Sequence, residues 1–433
     1  MSWFNEKSIK IKLKERQQEN KKIVHEFNYP FRDREREEEM PGVVTQSVLK
    51  TGHDAFQAKA SFVSAGYASS VINRNHDDYV RYTESIANLL ESKPRKQTAL
   101  VNIGYAARVA VVTRAIEHFI SSSFSLSPIN LIIIGCGLDP LGMWSLTLSS
   151  SVNVIEIDCD DFASMKSTFH SSILPHPCLS RICTVTCDLQ SGDSVSLGLE
   201  SVKNRIDFTA PTMVVSELVL IYLSNVPDLL HTFVGLFPDL TLAAFEPFCP
   251  AERHENHTIV RSESTATTAE NDFNAHRRGF EAAYLDRFRE KVKELHGMGS
   301  RPSEVRRLLM RQGFLKDSII VERAGRRFFD AVGGKFKALE PFDEHAGLAL
   351  YLRSYFFCEC RSRGELLKRD FAVKTIETDL EEEEAREIFK FSYESHGKKY
   401  KSVAKVSEKY ACAMINNGTG WTPTYTHTIP VRW

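Results

Sequence analysis

An α/β fold built on a largely parallel sheet is what this 433-residue sequence predicts, and two observations predict it. Short aliphatic runs recur between residues 129 and 248, each closing on glycine or an acid, and the stretches between several of them place apolar residues at helical spacing. Composition agrees with a folded domain: 42% hydrophobic, 26% charged and 10% aromatic residues supply a sizeable core and disfavour disorder, collagen or coiled coil.

Taken in order, residues 1–43 form a charged arm, lysine-rich in KSIKIKLKERQQENKK, acidic in DREREEE, and punctuated by Pro41-Gly42. From Thr45 to Ile120 the apolar spacing is helical, with Val109, Val112, Ile116 and Ile120 on one face, so two or three helices precede the first strand. That strand is Ile129–Ile134, nearly all aliphatic as in a strand buried on both faces, and it stops at Gly135-Cys136-Gly137. VNVIEID (152–158) reads as a second strand, followed by a helix around FASMKSTFHSSIL. RICTVTCDL (181–189) reads as a third strand, TMVVSELVL (212–220) as a fourth, VPDLLHTFVGLF as a helix and LTLAAFEPF as a fifth strand. Residues 272–312 have helical periodicity, and LALYLRSYFFCECR reads as a late strand. Residues 44–363 thus make one domain, and 364–433, first acidic and then rich in turn formers, make a C-terminal extension. No repeat of 20 to 50 residues is visible, so a propeller or solenoid is not expected.

Lys plus Arg at 55 against Asp plus Glu at 56 leaves a net charge of -1, which gives no global field toward nucleic acid or anionic lipid. The start, MSWFNEKSIKIK, lacks the apolar stretch of a secretory signal, and no run reaches the roughly 18 apolar residues of a membrane span, so no membrane partner and a cytoplasmic location are expected. Nine cysteines without paired CxxC spacing point to reduced, mostly buried thiols and no metal site. Cys358 and Cys360, two apart on a strand, point the same way, which leaves a regulatory disulfide or a metal clip as the alternatives to buried thiols.

The chemistry-bearing positions cluster at strand ends. Gly135-x-Gly137 leaves backbone without β-carbons at a carboxyl edge, where open α/β sheets bind ligands. Asp158 closes the second strand, where a carboxylate can accept both hydroxyls of a ribose, and Glu156 stands two residues earlier. Asp188-Leu189 closes the third, suited either to the edge of an adenine or to capping the next helix. Glu217 lies inside the apolar VVSELVL, where a carboxylate requires a partner.

In this order the motifs resemble the leucine carboxyl methyltransferase family. The stretches that carry the resemblance are DAFQAKASFVSAGY (54–67), NIGYAARVAVVTRAI (102–116), LIIIGCGLDP (131–140), VIEIDCDD (154–161), CDL (187–189), VVSELVLIYL (214–223) and YFFCECR (355–361). The resemblance implies a class I S-adenosyl-L-methionine-dependent methyltransferase sheet with N-terminal helices and added helical segments. It also implies roles: Lys59 and Arg108 for the donor's carboxylate, Gly135 and Gly137 in the donor loop, Asp158 for the ribose, Asp188 and Leu189 for the adenine, and Glu217 for the methionine portion. Tyr222, on the turn after the fourth strand, matches a position beside the methyl-accepting carboxylate, and Arg108 joins it as a catalytic candidate. The implied acceptor is the C-terminal leucine of a protein phosphatase 2A-type catalytic subunit. A carboxylate on the tRNA base wybutosine, a small-molecule acid, and a binding protein that no longer transfers methyl groups are the alternatives. Relatives that act on wybutosine carry an added propeller.

The sequence departs from the family pattern in three places. Ile103 stands where RGYxAR has arginine, Trp144 lies five residues after Asp139 with Pro140 between them, and Phe245-Glu246 replaces a common Tyr-Glu pair. These departures bear on acceptor geometry more than on donor binding.

Overall fold

The structure is a computed structural model that describes residues 46–123, 128–248, 297–333, 336–342, 345–362, 414–416 and 421–423. The charged arm expected over 1–43, the helical periodicity of 272–296 and all of the extension except two short strands lie outside the described residues.

Ile129–Ile134 (β1), Val152–Asp158 (β2), Ile182–Thr186 (β3), Thr212–Glu217 (β4), Leu240–Pro247 (β5), Ile320–Arg323 (β6) and Tyr355–Arg361 (β7) form one sheet in the order β3-β2-β1-β4-β5-β7-β6. The first five strands run parallel, while β7 runs antiparallel between β5 and β6. This is the expected class I methyltransferase sheet. A separate pairing joins Met414–Asn416 (β8) to Trp421–Pro423 (β9).

Alternation along β1 sends Leu131 and Ile133 to one face and Ile132 and Ile134 to the other, and each face is covered. On the first face lie Gln46–Ser64 (α1), His76–Leu89 (α2), Ala99–Ser123 (α3) and Asp160–Ile173 (α4). Gly192–Ser201 (α5), Val226–Leu236 (α6) and Pro302–Arg311 (α7) cover the second. Ala324–Val332 (α8) and His345–Ser354 (α9) return to the first. Length and apolarity alone would let α3 cross a membrane, but 83% of its most apolar window is buried within the fold.

Four strand boundaries or readings change. β3 ends at Thr186, not at residue 189, and the Cys187 N–H turns to donate to the Asp158 carbonyl at 3.2 Å. β4 ends at Glu217 because Leu218 takes φ +58, a left-handed conformation that no strand continues. The late segment read wholly as strand is half helix: Leu348, Tyr351, Leu352 and Tyr355 repeat at helical spacing, so α9 runs to Ser354 and only then does β7 begin. β6, four half-buried residues long, has no counterpart in the sequence reading because it is too short to show alternation.

All seven cysteines among the described residues are thiols, and Cys358 and Cys360 lie buried on one face of β7.

Candidate active site

Strand order reverses between β1 and β4, which opens a crevice at the carboxyl ends of those two strands. The loop Gly135–Pro140 leaves β1 there, and the turn Leu218–Tyr222 leaves β4 beside it. Gly135 takes φ +57 and packs so closely on Val219 that a β-carbon would collide with that side chain. Glycine is therefore required at 135 on two counts, conformation and space.

Two helices, the loop after β1 and two strand ends bring charge to this crevice. Lys59, from α1, contacts the Asp139 carboxylate and lies 2.9 Å from Glu217 Oε1. Arg108, from α3, donates to that same oxygen from Nε at 2.9 Å and approaches it with Nη2 at 2.7 Å. Asp139 also accepts from its own Leu141 N–H at 3.0 Å and from the Tyr79 hydroxyl at 3.3 Å. Burial opposes the charges on Lys59 and Glu217, yet their neighbours prevail: Asp139 and Glu217 hold Lys59 above its ordinary pKa, while Lys59 and Arg108 hold Glu217 below its own. The buried acid that the sequence left without a partner has two.

Asp158 is fixed at the end of β2 by the Gly137 N–H at 2.7 Å and the Cys159 N–H at 2.8 Å. Burial raises its pKa despite those bonds. Glu156, its neighbour on the strand, does not face the crevice: it is fully buried and paired with Lys166 at 2.8 Å and His170 at 2.9 Å. Asp158 is thus the carboxylate of the strand end. Asp188 is exposed, accepts from the Gln190 N–H at 2.9 Å, and precedes the buried Leu189.

On the other side of Arg108 the walls are aromatic. Its guanidinium lies 4.4 Å from the Tyr105 ring centroid. Tyr351, stacked obliquely on Tyr355 at 4.5 Å, packs over Gly104, one residue before Tyr105. Tyr222 closes the turn after β4 and bonds to Thr51; burial pushes its phenol pKa up, and Arg108 pulls the other way.

Two residues that brace the crevice escaped the sequence reading. Glu246, known there only as an oddity of the fifth strand, accepts from Ser216 Oγ at 2.6 Å and from the N–H groups of Val219, Leu220 and Ile221 at 3.0, 3.1 and 3.4 Å. It holds the turn that carries Tyr222. Gln190 braces the same turn, receiving the Ser224 N–H at 2.7 Å and donating to the Tyr222 carbonyl at 3.2 Å. The signal available for Glu246 was the one used for Glu217, an acid in an apolar run.

Residues 47–229 match the family model described as leucine carboxyl methyltransferase. That segment, less than half of the chain, is what resembles the family. Across 225 residues, 47% of the chain and 63% of the relative, it is 24% identical to "Probable leucine carboxyl methyltransferase 1" of Caenorhabditis briggsae. It is 22% identical to leucine carboxyl methyltransferase 1 of Kluyveromyces lactis over 50% of the chain and 75% of the relative. A longer match, 355 residues at 24% identity, joins 75% of the chain to 45% of the tRNA wybutosine-synthesizing protein 4 of Rattus norvegicus. The chain therefore spans less than two thirds of the nematode and rat relatives. Among solved structures, magnesium protoporphyrin IX methyltransferase from Synechocystis overlaps 65% of this chain and 94% of its own at 12% identity and a TM-score of 0.34.

The family's methyl donor is S-adenosylmethionine, and the crevice has groups of the right chemistry for it. Gly135 and Gly137 give close backbone access, Asp158 a carboxylate for a ribose, and Glu217 with Lys59 and Arg108 both signs of charge for an amino-acid group.

Proposed function

We propose that this chain is an S-adenosylmethionine-dependent carboxyl O-methyltransferase acting on the C-terminal leucine carboxylate of a protein phosphatase 2A-type catalytic subunit. The observation that carries the reading is the place of Arg108, which holds Glu217 on one side and the tyrosine-lined wall of Tyr105 and Tyr351 on the other. A fixed cation in contact with both a crevice acid and a tyrosine ring suits a carboxylate acceptor.

When bound, S-adenosylmethionine supplies a methyl group on a sulfonium. A carboxylate acceptor is already ionised, so the new carbon–oxygen bond forms as the carbon–sulfur bond breaks and no proton has to move. The residues are left with binding, alignment and exclusion of water. Asp158 and the glycine loop hold the nucleoside part, Glu217 and Lys59 the amino-acid part, and Arg108 with the Tyr222 hydroxyl orients the acceptor oxygens. Charge is neutralised as the bond forms, which a water-poor site favours.

The long match to the rat wybutosine protein favours a second reading, methylation of a carboxylate on a modified tRNA base. One experiment separates the two. S-adenosylhomocysteine binding is measured by calorimetry, and methyl transfer is then assayed with a phosphatase tail peptide ending in free leucine, its C-terminal amide, and tRNA bearing the wybutosine precursor acid. Transfer to the free-acid peptide alone is the expected result. Transfer to tRNA alone moves the acceptor to the second reading, and loss of donor binding overturns both.

A further inference from the structure

Beneath the donor crevice lies a second ionic cluster that methyl transfer does not use. Lys166, from α4, is 0% exposed, as is Glu156, its partner at 2.8 Å, and His170 stands 2.9 Å from the other oxygen of that carboxylate. Burial acts against both charges, and each partner outweighs it, leaving Lys166 above its ordinary pKa and Glu156 below. A buried pair of this kind is a poor device for stability, because apolar side chains of like volume commonly serve as well or better. Its connections point elsewhere. Lys166 Nζ donates to the backbone carbonyl of Asp139, the residue whose carboxylate engages Lys59 at the donor site. Glu156 packs so tightly under Gly142 that a β-carbon there would meet the carboxylate, so the cluster also fixes the backbone just past the loop. Finally, Glu156 and Lys166 flank Asp158 in sequence, one on β2 and one on the helix that follows.

We infer that Lys166 is a positioning residue for the methyl donor: braced by its ion pair with Glu156 and holding the Asp139 carbonyl, it fixes the loop Gly135–Pro140 relative to Asp158. This rests on the donor site proposed above. It acts through the loop and touches no reacting atom.

Lys166→Met alone would strand Glu156 as an unpaired buried charge, so the test uses the doubly neutral Lys166→Met/Glu156→Gln. Calorimetry with S-adenosylhomocysteine and thermal melting are measured on that variant and on the wild-type chain. The expected result is a melting temperature equal to or above wild type with donor affinity down by about tenfold or more, a split that a purely structural cluster does not produce. Wild-type affinity in the variant overturns the inference and leaves the proposed function standing. A lower melting temperature with a parallel loss of affinity also overturns it, by making Lys166 a stability residue. If the wild-type chain itself fails to bind S-adenosylhomocysteine, the donor site falls and this inference falls with it.

Discussion

The two sides of Arg108 are built by different means. Toward the donor crevice, position is set by ions and backbone: Lys59, Glu217 and Asp139 hold one another, and Asp158 is clamped by two N–H groups. Toward the tyrosine wall, position is set by packing of rings, with Tyr105 under the guanidinium and Tyr351 on Tyr355. The first side lies within residues 47–229, the segment that matches the family, while Tyr351 and Tyr355 lie more than a hundred residues beyond it. Ionic geometry tolerates little change, since each lost partner strands a buried charge, whereas an aromatic wall can be rebuilt from several sequences. The difference teaches where each kind of information resides: the ionic geometry in the matched segment, the aromatic wall in part outside it.

The largest effect should come from removing the support shared by both sides. Glu246→Ala leaves the Ser216 hydroxyl and the N–H groups of Val219, Leu220 and Ile221 without their acceptor. With a buried unsatisfied group costing about 1–3 kcal/mol, a loss of roughly 3 kcal/mol or more in denaturant unfolding is expected, together with donor binding. A stable variant that still binds donor would show that the turn holds itself.

Next in size is Asp158→Ala, which should weaken S-adenosylhomocysteine by about 1.5–3 kcal/mol in calorimetry while the fold persists. The raised pKa of Asp158 adds a sign: its charged form is what a ribose needs, so affinity should fall on acidification at a pH above the ordinary value of 3.8. Affinity that is flat through that window, or unchanged in the variant, would remove the ribose role, and Glu156 is too occupied with Lys166 and His170 to inherit it.

Arg108→Lys tests the boundary itself. The charge survives but the fork that reaches Glu217 from two nitrogens does not, so donor affinity should drop about tenfold and acceptor turnover with it. Full activity with Lys would mean that a point charge suffices between the two sides. The smallest donor effect belongs to Tyr222→Phe, with donor affinity kept within about twofold, roughly 0.4 kcal/mol, while the acceptor KM rises or turnover slows. Parallel loss of donor binding would merge the two sides into one.

What the sequence made legible follows the same division. β1 and β2 were readable to the residue because aliphatic runs that stop on glycine or acid leave few alternatives. Asp158 and Glu217 were readable as acids in places where acids need a reason. Lys166 and Tyr351 were not, since a lysine or tyrosine on a helix is ordinary until the fold shows what it faces. Glu246 could be noticed but not interpreted, because its four donors come from β4 and the turn after it, 25 to 30 residues away in sequence.

The place of β7 between β5 and β6 also dictates an order of assembly. β6 leaves the ribosome before the strand it pairs with, and β5 keeps one edge open until Tyr355–Arg361 arrives. The parallel strands β1 to β4, with Glu217 and Asp158 on them, can pair while that edge still waits. A chain interrupted before residue 355 would therefore present β5, buried along its whole length in the finished fold, as an unpaired edge open to pairing with other chains. Protection from aggregation during synthesis thus depends on the same late segment that supplies Tyr351 and Tyr355 to the tyrosine wall.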